Sequence, residues 1–162
     1  MCIRDSIYVA DWGFTDVRDK TVKQQMIESE GLKQIKNIRD FNLKLELEDF
    51  KIICREIEKA YAMGKSPKWL LIIVNKADLF FENNTLNLAQ QYYHPKGNSN
   101  FSKVIQSTIS KIGEQRLKCA SIPLCSFEKD FVWNKEKVVT KIGGEENRKA
   151  LMKHFFTTVA NF

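Results

Sequence analysis

The sequence predicts an α/β fold in which helices flank a parallel β-sheet in three layers. Two observations lead to this prediction. Short apolar segments, each long enough for one strand, occur at residues 7–10, 69–74 and 120–124. Between them lie longer stretches whose apolar residues recur at the period of an amphipathic helix. Strands that alternate with helices along a chain pair in parallel, because each helix carries the chain back across the sheet.

The composition is that of one globular domain. Apolar residues make up 43% and charged residues 28% of the 162 residues. The net charge of +6 is spread along the chain without a basic block, so we expect a solvated surface and no nucleic-acid partner. The four cysteines and two histidines form no metal-binding or disulfide pattern, and no catalytic or metal residue is assigned. No signal peptide or membrane-length apolar run is present, which predicts a cytoplasmic protein with no membrane segment.

The N-terminal region is predicted to begin with a leader and one strand. Residues 1–6 fit no element, and we expect them to be a non-native or disordered leader, with the folded part at 7–162. The strand at 7–10 is short and apolar. The turn-forming run Asp11-Trp12-Gly13 ends it.

Two helical regions follow this strand. Helical spacing at 17–40 is interrupted by Gly31. A second helix is predicted at about 45–63, and Gly64 stands where a C-terminal cap belongs. Leucines that alternate with charged residues at 43–47 leave a strand open as the alternative at the start of this helix.

Helices and strands alternate again in the second half of the chain. Pro67 interrupts helical structure before the strand predicted at Trp69–Val74. The elements predicted after it are a helix at 85–93, a helix at 101–112 closed by Gly113, a strand at 120–124, a hairpin with strands at 131–133 and 137–140, and an amphipathic helix at 145–162 with Leu151, Phe155 and Val159 on one face.

The most specific pattern in the sequence is Asn75-Lys76-Ala77-Asp78, which directly follows the apolar strand. This arrangement resembles the guanine-recognition motif in the C-terminal half of P-loop GTPase domains. The resemblance implies that Asp78 reads the base, that the stem of Lys76 covers the base plane, and that Asn75 ties the loop to the phosphate-binding loop. A carboxylate suits guanine because its two oxygens accept hydrogen bonds from N1 and N2, and adenine lacks this donor pair.

The resemblance also implies a second base-binding loop after the next strand, at Cys125-Ser126-Phe127. The family usually has Ser-Ala-Lys or Ser-Ala-Leu here, and a backbone N–H of the loop donates to guanine O6. This contact is made by the main chain, so the different side chains are compatible with it. Ser126 is expected to supply the amide, and Phe127 apolar cover for the base.

The phosphate-binding loop Gly-x-x-x-x-Gly-Lys-[Ser/Thr] has no counterpart in the sequence. Gly64-Lys65-Ser66 resembles its end, but Lys59 stands where the first glycine belongs, so we interpret the triplet as a helix cap and turn. Asp11-Trp12-Gly13 is one residue too short for the Asp-x-x-Gly element. The resemblance therefore aligns residues 7–11 with the fourth strand of a G domain and places strands one to three upstream.

The predicted function is guanine-nucleotide binding, of GTP or GDP, by the base-recognition half of a GTPase domain. Mg²⁺ and GTP hydrolysis are expected only in the intact domain, and this chain alone is expected to be inactive. The expected partners are the nucleotide, the missing N-terminal half of the domain and a protein effector. The alternative is a catalytically inactive G-like module that acts as a protein-interaction domain. An unpaired edge at residues 7–10 predicts association with another chain.

Overall fold

The computed structural model describes residues 5–14, 35–65, 67–76, 85–125, 131–133, 136–138 and 142–161. Within them the chain forms an α/β fold with five strands and four helices. In chain order these are β1 (Asp5–Ala10), α1 (Ile35–Ala62), β2 (Trp69–Val74), α2 (Thr85–Tyr93), α3 (Asn100–Ile112), β3 (Lys118–Pro123), β4 (Phe131–Trp133), β5 (Glu136–Val138) and α4 (Glu145–Ala160).

The first three strands form one parallel sheet in the order β1-β2-β3. The register pairs Ala10 with Val74 and Val74 with Pro123, so the three strands end at the same level. The side chains of residues 70–74 in the central strand β2 are all buried. A central parallel strand is apolar throughout because helices cover both of its faces, which accounts for the continuous apolar run in the sequence.

The larger hydrophobic cluster lies on the sheet face that α1, α2 and α3 cover. Phe50 of α1 and Phe101 of α3 are fully buried there, and their rings stack with centroids 4.0 Å apart. Tyr8 of β1 packs on Phe50 at 4.8 Å. These aromatic contacts hold two helices against the sheet.

The opposite face of the sheet carries a smaller cluster. Leu71 and Ile73 of β2 and Ile122 of β3 are buried there, and Phe155 and Val159 of α4 pack against them. With helices on both faces, the sheet is the middle of three layers, as the sequence predicts. Of the three residues predicted to share one face of this helix, Phe155 and Val159 pack against this cluster.

Helix α1 begins at Ile35, so the predicted start near residue 45 was wrong, and the alternative strand at 43–47 is excluded. The cause is the polar character of the inward side of its first half. Arg39, Asn42 and Glu46 are buried on that side, where an amphipathic pattern would place apolar residues. Of the predicted helical region 17–40, residues 35–40 belong to α1, and the remainder with Gly31 lies outside the described residues.

The other boundaries lie close to their predicted positions. Strand β1 starts at Asp5, inside the segment predicted to be a leader, and β3 starts at Lys118 instead of residue 120. Helix α2 has its predicted extent, and α3 starts one residue earlier than predicted, at Asn100 after the N-cap Ser99, with Gly113 as its C-cap. The predicted hairpin is present as the antiparallel pair β4–β5, whose second strand starts at Glu136.

Gly64 caps α1, as predicted. Its φ is +71°, its N–H donates to the Tyr61 carbonyl at 2.9 Å, and the Lys65 N–H donates to the Ala60 carbonyl at 2.8 Å. This pair of bonds is the Schellman arrangement of a helix C-terminus. The part of the chain that the structure describes has no helix with both the length and the apolarity needed to cross a bilayer.

Candidate functional site

The carboxyl ends of the three parallel strands form one edge of the sheet. Pairing continues one residue past β2 and β3, because Asn75 N–H donates to the Ala10 carbonyl at 2.7 Å and Leu124 N–H donates to the Val74 carbonyl at 2.8 Å. The segments that begin at Asp11, Asn75 and Leu124 therefore leave the sheet side by side. In open parallel sheets, ligands bind at this edge.

Asp11 joins the first two of these segments. Its Oδ1 accepts a hydrogen bond from the Asn75 side-chain amide at 3.1 Å, and its Oδ2 accepts one from Lys76 Nζ at 3.0 Å. Lys76 Nζ also donates to the Phe14 carbonyl at 3.0 Å. The two polar side chains that open the predicted base-reading loop are thus both held by one carboxylate.

Residues 11–14 form a tight turn, called the Asp11–Phe14 turn below. The Phe14 N–H donates to the Asp11 carbonyl at 2.9 Å, and both central residues have positive φ, +55° at Trp12 and +78° at Gly13. A Cβ on Gly13 would lie 2.7 Å from the Arg39 carbonyl oxygen. Glycine is therefore required at position 13 for both its backbone conformation and its close approach to α1.

The turn is fixed from α1 by two buried polar side chains. Arg39 Nε donates to the Trp12 carbonyl at 3.2 Å, and its guanidinium lies 4.1 Å from the centre of the Trp12 ring. Asn42 Nδ2 donates to the Gly13 carbonyl at 2.9 Å. These bonds satisfy the carbonyls of a turn whose tryptophan adopts a conformation that costs about 1–2 kcal/mol for an ordinary residue.

Glu46 fixes the start of the same turn. Its Oε2 accepts the Asp11 backbone N–H at 3.1 Å, and its Oε1 accepts a hydrogen bond from the Tyr93 hydroxyl of α2. The side chain is 9% exposed. Burial raises the pKa of Glu46 above its usual value, and the hydrogen bonds from Tyr93 and from the Asp11 backbone oppose that rise.

Replacing Glu46 with glutamine tests this arrangement through its pH dependence. A raised pKa means that the folded state binds the proton more tightly, so ionisation of Glu46 lowers stability as pH rises above about 4.5, the ordinary value. Glutamine imitates the neutral form. We therefore expect the free energy of unfolding of Glu46→Gln to increase relative to wild type as pH is raised from about 4 to about 7, measured by urea unfolding.

The control for this experiment is Glu48→Gln, which changes an exposed glutamate on the same helix. Glu48 forms an exposed ion pair with Lys51 at 2.6 Å. Such a pair contributes at most about 1 kcal/mol. A difference between wild type and Glu46→Gln that stays constant over the pH range would contradict the buried-carboxylate account.

The structure brings together some of the predicted site residues. Asn75 and Lys76 meet at Asp11, and Cys125 lies buried after the neighbouring strand β3, with 2% exposure. Lys76 has a left-handed φ of +56°. Asp78, Ser126 and Phe127 lie outside the described residues, and their roles stay predictions.

The bond that Asn75 makes was not foreseen from the sequence. The resemblance assigns this side chain to a phosphate-binding loop, whereas here it binds Asp11. The supporting residues of α1 were also missed, although Arg39, Asn42 and Glu46 recur at helical spacing and so share one side of the helix. A polar stripe at this spacing, next to an apolar one, is the signal that could have revealed them.

A separate cavity bounded by described residues lies away from this edge. It has a volume of about 870 Å³ and is bordered by α3 and by Leu117, Lys118 and Cys119 at the start of β3. That position is the amino end of the sheet. Burial raises the pKa of the Cys119 thiol to about 12, so this cysteine is not a reactive thiolate.

Comparison with known proteins identifies no relative. No family model matches the chain, and neither a curated protein nor a solved structure is significantly similar to it. What the site can bind therefore follows from its geometry and from the motif at residues 75–78.

Proposed function

We propose that this chain recognises the guanine base of GTP or GDP with the loops that follow β2 and β3. The observation that carries the proposal is the position of Asn75 and Lys76, which Asp11 holds at the carboxyl edge of a parallel sheet. Cys125, which opens the second predicted loop, follows the adjacent strand. Two adjacent loops can hold a planar base between them.

Each proposed role follows from the chemistry of its group. Asp78 accepts the two donors of guanine, and the Ser126 amide donates to O6. The stem of Lys76 covers the base, while its ammonium group stays on Asp11. Asn75 braces the loop, and Phe127 adds apolar cover.

The chain supplies the base-recognition half of a G domain in this proposal. Phosphate and Mg²⁺ contacts provide most of the affinity for a nucleoside triphosphate, and the partner half of the domain carries them. The described residues contain no group of three or more side chains that could ligate a metal, so we assign no Mg²⁺ ligand among them. The reaction of the complete domain is GTP hydrolysis to GDP.

The alternative function is a G-like module that binds proteins without hydrolysing nucleotide. The exposed edge of β1 favours it, because Ile7 and Val9 are 54% and 57% exposed there. An interaction domain requires no base preference. The two functions are therefore separated by nucleotide selectivity.

Titration of the 162-residue chain with GDP, with inosine diphosphate (IDP) and with ADP tests the proposal. The inosine base lacks the N2 donor, so one Asp78 oxygen loses its partner and affinity falls by roughly tenfold. ADP is expected to bind more weakly than IDP. NMR shifts of the Asn75 and Lys76 amides follow binding at the weak affinity expected without phosphate contacts. Equal affinities for GDP and ADP would refute guanine recognition.

A further inference from the structure

The outer edge of β1 presents unpaired backbone groups in the described part of the chain. Because the Ala10 carbonyl accepts Asn75 N–H, Ala10 and Tyr8 direct their backbone groups toward β2. Backbone direction alternates along a strand, so Ile7 and Val9 direct their N–H and C=O groups away from β2. These are the groups with which another strand could pair.

This open edge ends at a defined residue. Asp11 is the next residue whose backbone N–H points outward, and the Glu46 carboxylate accepts that N–H at 3.1 Å. A strand added to β1 therefore has no free donor to pair with beyond Val9. Glu46 limits the pairing to the part of β1 that precedes the Asp11–Phe14 turn.

Apolar surface lies on both sides of the open edge. On the α4 side, Ile7 and Val9 are more than half exposed, although their register partners Leu71 and Ile73 on β2 are buried. On the α1 side, a groove of about 580 Å³ runs between β1 and the helix. Its apolar lining from α1 consists of the exposed side chains Leu45, Ile52 and Ile53.

The same groove is acidic. Asp11, Glu46 and Asp49 line it, and its described lining includes no lysine or arginine. Asp11 pairs with Lys76 and Glu46 is buried, which leaves Asp49, exposed on α1, as the carboxylate for a partner. A segment that fills this groove is favoured if it carries a cation opposite Asp49.

A second copy of this chain fits the groove poorly. Two-fold pairing of one β1 with another would place both α1 helices on the same face of the joint sheet. The two acidic grooves would then face each other, and like charges at close range disfavour the contact. The charge of the groove thus favours a basic partner over self-association.

We propose that the open edge of β1 and the acidic groove beside it bind an extended segment of a partner polypeptide. The segment adds a strand to the sheet by pairing with Ile7 and Val9, carries apolar side chains at alternate positions, and places a lysine or arginine at Asp49. This inference rests on the sheet edge and the groove and does not depend on guanine recognition. Loss of nucleotide selectivity would leave it intact.

Synthetic peptides of about nine residues test the proposal. One peptide has valine at alternate positions, threonine between them and one central lysine, and its matched partner has glutamate in place of lysine. The lysine peptide is expected to bind the 162-residue chain at least tenfold more tightly than the glutamate peptide. Asp49→Lys should abolish or reverse this preference. Glu56→Lys makes the same charge change on α1 outside the groove, and it should leave the preference unchanged.

Val9→Pro tests the backbone pairing. It removes an outward N–H without removing a bond to β2, so the sheet should persist, as edge strands tolerate proline. We expect peptide affinity to fall at least tenfold, with circular dichroism and the thermal transition confirming the fold. If Val9→Pro unfolds the chain, the proposal is tested by whether Asp49→Lys loses the preference for the lysine peptide.

Three results would overturn the proposal. The first is no binding of the lysine peptide, and the second is equal binding by wild type and a folded Val9→Pro variant. The third is a stable dimer of the wild-type chain, by analytical ultracentrifugation, that Val9→Pro converts to a monomer. That last result would mean that a second copy occupies the edge.

Discussion

Replacing Asp78 with asparagine is expected to make xanthosine diphosphate (XDP) the preferred ligand and to weaken GDP binding by a factor on the order of 10²–10⁴. Guanine directs two donors at the carboxylate, and an asparagine amide can accept only one of them while its NH₂ group opposes the other. Xanthine has an oxygen at C2 in place of the amino group. The amide can donate to that oxygen, which restores a two-point contact.

The ratio of XDP to GDP affinity is the measurement, because it cancels the contribution of the phosphates. Asp49→Asn is the matched control, since it makes the same chemical change at an exposed position on α1 and should leave the ratio unchanged. A folded Asp78→Asn variant that still prefers GDP would remove the assignment of Asp78 to the base. The preference for guanine would then come from other groups of the site.

Gly13→Ala is expected to destabilise the protein far more than Gly64→Ala, although both glycines have positive φ. At Gly13 the added Cβ would meet the Arg39 carbonyl oxygen at 2.7 Å and the Arg39 Cγ at 2.8 Å. At Gly64 the Cβ would have nothing within 4 Å. The expected losses in the free energy of unfolding are about 2–5 kcal/mol at Gly13 and about 1–2 kcal/mol at Gly64.

Urea unfolding of the two variants measures this difference. The NMR signals of Lys76 should also shift in Gly13→Ala, because Lys76 Nζ binds Asp11 and Phe14 at the two ends of the displaced turn. They should be unchanged in Gly64→Ala. Equal losses of stability in the two variants would show that the turn can move away from Arg39 without an energetic penalty. Such a turn would not hold Lys76 in a fixed position.

The sequence predicts best those elements whose pattern is local. The apolar run at residues 69–74 predicts a buried strand, because both faces of a central strand in a parallel sheet are covered by helices. Helix α3 was predicted to within one residue of its observed extent because its buried residues share one side and Gly113 caps its end. In both cases the physical cause of the structure is visible within a few neighbouring residues.

The support of the candidate site could not be predicted in this way. The bond from Asn75 to Asp11 joins residues 64 positions apart, and no periodic pattern reports such a contact. The first half of helix α1 buries Arg39, Asn42 and Glu46, which bind the Asp11–Phe14 turn, next to the apolar Ile38 and Leu43. These polar residues are the part of the helix that the apolar spacing did not predict. The motif identifies the loop, but the residues that position it became visible only in the fold.

Glu46 also determines where an added strand must separate from β1. Pairing is open at Val9 and closed at Asp11, so the chain of a bound segment has to diverge just before the carboxyl edge of the sheet. A single buried carboxylate therefore keeps the end of an added strand away from Asp11 and from Lys76, which Asp11 binds.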